Sequence, residues 1–215
     1  MPQSASPHDI VYIRCRRGQS LVVGRSSRGS SVRVIAGKYR SRPLRSLRGL
    51  DVRPTTDRLR ETLFNVLAPV VEDSVWLDLY AGTGAVGIEA LSRGARMVYF
   101  AEASRKSAAV IRQNLRSLSI EKDYEVLERE VGVALRLLEF RAVSCDVCFL
   151  DPPYRMQQAY AEVLGFLGQS RLLKPAGIVV AEHERHSDPG GQFGALERYR
   201  ELRQGDAVLS FYKLR

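Results

Sequence analysis

The chain has 215 residues, 45% hydrophobic and 27% charged, which is enough apolar content for a real core and excludes a chain disordered by composition. No apolar run approaches the ~20 residues of a membrane span, the start MPQSASPHDIVYIRCRR lacks a secretory-signal pattern, and three cysteines cannot build a disulfide framework. The net charge of +9 is unevenly placed: residues 1–60 hold 14 Lys and Arg against Asp9, Asp51 and Asp57, while the other 155 residues hold 19 basic and 21 acidic. The few cysteines and the start pattern make a soluble cytoplasmic protein the default expectation, and a near-neutral body with one basic end suggests that it binds a polyanion.

Residues 1–31 show no sustained periodicity and read as a basic extension. Val32–Ala36 reads as a strand that Gly37 ends, with Arg42–Leu47 pairing back as a hairpin, so 32–53 is taken as a basic, polyanion-contacting hairpin. Pro54, Thr55, Thr56 and Asp57 form a helix-start cluster, followed by Leu59, Leu63, Val66 and Leu67 on one helical face. From Val75 short apolar runs alternate with amphipathic helices. The runs are VWLDLY (75–80), MVYFAE (97–102), YEVLE (124–128), CDVCFL (145–150) and GIVVAEH (177–183). One helix starts near Ser104 and another spans about 156–170. Arg198–Leu202 and Ala207–Leu214 flank Gln204-Gly205-Asp206 as a terminal hairpin. The expectation is an α/β Rossmann-like, doubly wound, mostly parallel sheet over 54–215, with an antiparallel C-terminal edge.

In such sheets ligands bind at strand carboxyl ends where strand order reverses. The first strand runs into Asp78-Leu79-Tyr80-Ala81-Gly82-Thr83-Gly84-Ala85-Val86-Gly87, and Glu102 ends the second strand 20 residues after Gly82. Glycines let the backbone approach a ligand, and the acid suits ribose hydroxyls. The pattern specifies an adenosine-containing cofactor and leaves NAD and S-adenosylmethionine both open. Asp78 tilts toward the latter, since a pyrophosphate gains nothing from another negative charge. It also reads as a cap for the loop. Glu130 and Val131, after the third strand, are placed to meet adenine by side chain or backbone.

The fourth strand delivers Asp151-Pro152-Pro153-Tyr154. Two prolines make a rigid turn with free carbonyls. Asp151 and the Pro152 carbonyl would accept the two N–H bonds of an exocyclic amine, with Tyr154 stacked on its ring. Positioning that amine in line with a sulfonium methyl group supplies most of the acceleration. The released proton goes to Asp151 or to water.

With both strand ends read, the chain resembles the Rossmann-like, DPPY-type amino-methyltransferases that use S-adenosylmethionine. More narrowly it is similar to the bacterial family that methylates N2 of guanine 966 in 16S ribosomal RNA. VRVIAGKYRSRPL, RPTTDRLRETLFN, DLYAGTGAVGIEALSRGA, FLDPPY and VVAEH with the final hairpin carry the likeness over about residues 32–215. Tyr80 stands where that family often has Phe. The resemblance implies that the basic hairpin grips ribosomal RNA, that Pro54–Arg60 helps close over cofactor and target, and that the substrate is an assembled or partly assembled small subunit. A monomer is expected.

Arg33, Lys38, Arg40 and Arg42 are candidate phosphate contacts, joined by Arg53, Arg58 and Arg60 beside the helix start. Cys145 and Cys148 spell C-x-x-C, but three apart in a strand they should face opposite sides. His183 and His186 lack a second cluster that would complete a metal site. A non-catalytic RNA-binding protein, an NAD-dependent oxidoreductase and a DNA or other RNA amino-methyltransferase remain the rival readings.

Overall fold

Each apolar run needs cover on both faces, which a parallel sheet obtains from the helices that connect its strands. The computed structural model describes residues 32–46, 56–153 and 156–215 and has this layout. In chain order the elements are α1 (Asp57–Val71), β1 (Val75–Leu79), α2 (Ala85–Ser92), β2 (Met97–Ala101), α3 (Arg105–Ser117), β3 (Tyr124–Leu127) and α4 (Val131–Phe140). Then follow β4 (Cys145–Leu150), α5 (Gln157–Leu167), β5 (Leu173–Glu184), β6 (Gln192–Phe193), β7 (Leu196–Gln204) and β8 (Ala207–Leu214). One sheet orders them β3-β2-β1-β4-β5-β8-β7-β6. The first five strands pair in parallel, and β8, β7 and β6 add an antiparallel edge.

Local chemistry sets the helix starts. The Thr56 hydroxyl accepts the Leu59 N–H at 3.2 Å and opens α1, while Ser104 does the same for α3 through Ser107 at 3.3 Å. The buried face of α1 places Phe64 stacked on Trp76, with ring centroids 5.2 Å apart. Helices α1 to α3 cover one face of the sheet over Trp76, Phe100, Phe149 and Phe211. Helices α4 and α5 cover the other over Leu77, Leu79, Leu150 and Tyr212. Helices α2 and α4 were not picked out by periodicity; VGVALRLLEF is apolar over most of its length, so no single stripe stands out.

The C-x-x-C expectation is corrected. Cys145 and Cys148 both lie in the α4–α5 layer, because the β4–β5 register shifts between Cys145 and Val147 and breaks the alternation. Burial pushes the Cys145 thiol up to about 12.

The basic hairpin is a packed strap rather than a two-stranded ladder. Among the described residues Arg33 and Pro43 form one isolated bridge, flanked by Val34 N–H on the Arg42 carbonyl at 3.0 Å and Leu44 N–H on the Val32 carbonyl at 2.7 Å; Pro43 takes the position that donates nothing across the pair, where its missing N–H is no loss. Val32, Val34 and Leu44 are buried in the α1–α3 layer. Glu89 of α2 accepts the Ile35 and Ala36 N–H groups at 2.7 and 2.9 Å, and the Ser92 carbonyl accepts Lys38 N–H at 2.7 Å. Gly37 turns there at φ +79°, where a Cβ would run into the Ser92 backbone. Ser31–Arg215 form one compact unit, so the strap belongs to the α/β body and is not a separate domain. Residues 1–31 and 47–55 lie outside the described residues.

Candidate active site

The register brings the strand ends to one level. Leu79 pairs with Ala101 and with Leu150, Ala101 pairs with Leu127, and Leu150 pairs with Ala181. The next residues, Tyr80, Glu102, Glu128 and Asp151, therefore leave the sheet in a row, with Glu182 at the same level inside β5, which runs on against β8 to Glu184. β1 and β4 are neighbours at the point where strand order reverses, so the glycine loop and the Asp-Pro-Pro turn flank the same crevice.

Three side chains hold the glycine loop. Asp78, 2% exposed, accepts the Gly87 N–H at 2.9 Å and so pins the first turn of α2. Glu102 accepts the Gly82 N–H through one oxygen and the Ser104 N–H through the other, both at 2.8 Å. Asn114 of α3 donates to the Thr83 carbonyl at 2.9 Å. Ala81 closes the turn as its carbonyl accepts Gly84 N–H at 2.7 Å. Gly84 caps α2 at φ +76°, and a Cβ there would sit 3.2 Å from Ile111 and 3.3 Å from Phe100.

Acids dominate this edge. Burial raises Asp78 to about 8, with Glu102 adding repulsion and the Gly87 N–H opposing. Burial, then Glu182, then Asp78 raise Asp151 well above the ordinary carboxylate range. The Tyr80 phenol is raised to about 12 by burial, then by Glu162 and Glu130. A pyrophosphate would add charge to a site already crowded with carboxylates, whereas a cationic ligand would relieve it. This disfavours the NAD reading.

Some expected contacts shift. The Pro153 carbonyl is not free: it accepts the Met156 N–H at 2.7 Å and closes the turn before α5. Pro152 is buried beside Asp151, and Tyr154 lies outside the described residues. Glu130 is exposed at the cap of α4, but the Val131 side chain is in the core, leaving only its backbone as a contact. Arg33, Lys38, Arg40, Arg42 and Arg58 are exposed. Lys38 and Arg40 sit at the strap tip near Ser92, the far end of α2 from the glycine loop. Arg33 pairs with Asp57 at 3.1 Å, and Arg42 donates to the Ser117 carbonyl at 3.0 Å. Arg53 lies outside the described residues.

Arg60 is a correction. It is fully buried, donating to Asp57 at 3.0 Å and to the Arg33 carbonyl. Its place on the apolar stripe of α1 takes it inward, so it braces the strap and does not meet RNA.

Two residues escaped the sequence reading. Glu182, beside Asp151, was visible only as the acid that ends the run GIVVA. Asn114 is a fully buried polar residue between Ile111 and Leu115 on the apolar stripe of α3, a break in the stripe that could have marked it. Besides Thr83, it exchanges hydrogen bonds with the Arg45 backbone, accepting N–H at 2.8 Å and donating to the carbonyl at 3.1 Å. It therefore ties the basic strap to the glycine loop. Asn114→Ala leaves these groups unpaired, so a loss of roughly 2–4 kcal/mol in denaturant-measured stability is expected, together with weaker cofactor binding in calorimetry. His183 contacts Ser210 and the Glu184 carbonyl, both at 2.9 Å, and among the described residues no group of three His, Cys, Asp or Glu could hold a metal ion.

A family model described as Conserved hypothetical protein 95 matches residues 32–213. The chain belongs to this family. Among its relatives, the ribosomal RNA small subunit methyltransferase D of Haemophilus influenzae is 36% identical over 72% of this chain and 79% of its own length. YlbH of Bacillus subtilis, described provisionally as an rRNA methyltransferase, is 34% identical over 86% of this chain and all of its own. The solved Escherichia coli protein yhhF, described provisionally as a methyltransferase, superposes with a TM-score of 0.72 at 30% identity, covering 86% of this chain and 98% of that one. The family resemblance read from the motifs is borne out, and so is the methyltransferase fold.

Proposed function

We propose that this family member uses S-adenosylmethionine to methylate the exocyclic N2 of a guanine in small-subunit ribosomal RNA, guanine 966 by resemblance. One observation carries the reading: the glycine loop of β1 and the Asp151-Pro152 turn of β4 flank one crevice whose charged lining is acidic. The residues fit the cofactor, because Gly82 and Gly84 let the loop turn tightly at positive φ and the carboxylates suit a cation. When bound, S-adenosylmethionine supplies an electrophilic methyl group that needs no metal.

Glu102 has lone pairs left for ribose hydroxyls after accepting Gly82 and Ser104. Asp78 keeps the loop docked on α2, and the start of α4 at Glu130 and Val131 borders the adenine side. Asp151 and the Pro152 carbonyl accept the guanine amine's N–H bonds, which favours a pyramidal nitrogen and stabilises the positive charge that develops there. Tyr154 stacks on the base. The raised proton affinity of Asp151 suits it to take the released proton before water does. Because acids at this edge repel phosphate, the exposed cations of the strap and α1 supply the grip on RNA. The substrate is an assembled or partly assembled subunit, and the enzyme acts as a cytoplasmic monomer.

Calorimetry tests the cofactor class directly. S-adenosylmethionine should bind and NAD should not, with Glu102→Ala weakening the former about tenfold or more, as loss of charge-assisted hydrogen bonds implies. Preferential binding of NAD would return the chain to the oxidoreductase reading.

A further inference from the structure

The β7–β8 hairpin carries a surface that methyl transfer does not use. Arg198 pairs with Tyr212 and Arg200 with Phe211, so Tyr199 is an extra residue inserted between them. In a regular strand Tyr199 and Arg200 would face opposite sides; the bulge turns both to one side. Tyr199 lies edge-on to Phe211 with ring centroids 6.3 Å apart, and the Arg200 guanidinium carbon is 6.0 Å from the same ring. Lys213 of β8 places its Nζ 4.7 Å over the Tyr199 ring. Tyr199 is 46% exposed, and Arg200 and Lys213 are exposed as well.

Charge sets these two cations apart from their neighbours. Arg198, Arg203 and Arg215 are neutralised by Asp188, Glu201 and Glu197. Among the described residues neither Arg200 nor Lys213 makes an ion pair; each rests on an aromatic ring instead, which leaves its charge available. Exposed aromatic surface beside unneutralised cations is the chemistry that holds single-stranded nucleic acid.

We infer that Tyr199, Arg200 and Lys213 form a second RNA-contact surface, packing an unpaired base on Tyr199 and binding the flanking phosphates. The inference rests on the ribosomal RNA reading above. Phe211 shares its core layer with Val32, Val34 and Leu44 of the strap, so patch and strap lie on the same side of the sheet with α1 between them. The Thr62 hydroxyl of α1 donates to Gln204 of β7 at 3.1 Å, which joins the two regions. From β4, which carries Asp151, to β7 is three strand spacings, about 14 Å across the sheet, and the register sets Arg200 level with Phe149, two residues or about 7 Å back along the strands from Asp151. Together that is on the order of four phosphates along one strand. RNA flanking the target base therefore reaches the patch.

The test measures affinity for a 16S ribosomal RNA transcript across a salt series, for wild type, R200A/K213A and Y199A, with S-adenosylmethionine calorimetry confirming that each variant is folded. R200A/K213A should bind RNA about tenfold more weakly, with the log-affinity against log-salt slope flatter by roughly 1–2. Y199A should lose about fivefold or more at an unchanged slope. Wild-type affinity and slope in both variants overturn the inference. So does normal binding to the transcript combined with weakened binding to assembled subunits only, which assigns the patch to a protein. If wild type neither binds nor methylates the RNA, the ribosomal RNA reading itself fails.

Discussion

Asp151→Ala should lower turnover on the order of a hundredfold to a thousandfold, the scale seen when one charge-stabilising group is removed from a reacting centre, while leaving the affinity for S-adenosylmethionine within about threefold. The separation follows from position. In the proposed arrangement Asp151 leaves β4 on the target side of the crevice, whereas the glycine loop assigned to the cofactor is held by Asp78, Glu102 and Asn114. The rate should also depend on pH. Burial, then Glu182, then Asp78 favour the protonated form of Asp151, and only the ionised form accepts on both oxygens and takes the proton. Turnover should therefore climb with pH as the carboxyl ionises, with a midpoint above the ordinary value of about 4. Asp151→Asn keeps one acceptor oxygen without a titrating proton, so its rate should be low and flat with pH. A pH–rate profile under saturating cofactor and RNA checks this; the same rising limb in wild type and in Asp151→Asn would sink the role given to Asp151.

Gly84→Val should strike the cofactor first. The backbone there has φ +76°, which costs a non-glycine residue ~1–2 kcal/mol. The new Cβ meets Ile111 and Phe100 at 3.2 and 3.3 Å, and overpacking adds ~1–3 kcal/mol. The Ile111 and Phe100 side chains can yield to the contact, but the strain at positive φ is relieved only if the loop backbone moves, so the affinity for S-adenosylmethionine should fall about thirtyfold or more before the fold is lost. Gly82→Ala is the comparison. Gly82 also turns at φ +55°, but a Cβ there finds nothing closer than the Tyr80 carbonyl at 3.9 Å, so the loss should be milder. Calorimetry on variants shown to melt cooperatively decides it; equal cofactor affinity in wild type and Gly84→Val would mean the loop does not contact the ligand.

The glycine loop and the Asp-Pro-Pro turn were legible in the sequence because each is a local pattern at the end of an apolar run. Their adjacency follows from topology: once β4 lies beside β1, two segments some 70 residues apart face one crevice. What local pattern did not convey depends on which way a side chain is turned. Arg60 counts as a positive charge in any composition window, yet the helical stripe of α1 carries it into the core. Glu182 sits beside Asp151 only through the β4–β5 register. Asn114 gains its meaning from Arg45 and Thr83, which are distant in sequence. The pairing of Tyr199 with Arg200 on one face needs a bulge that nothing in LERYRELRQ announces. Cys145 shows the same limit in reverse, since a register shift cancelled the alternation its spacing implied.

We propose that this crevice joins a sulfonium methyl to a guanine amine of ribosomal RNA. The most direct measurement transfers labelled methyl groups from S-adenosylmethionine to assembled small subunits, naked 16S RNA and duplex DNA, followed by nucleoside analysis. Label recovered as N2-methylguanosine from the small-subunit substrate is the expected result. Label found only in DNA as N6-methyladenine, or no label in any of the three, would contradict it.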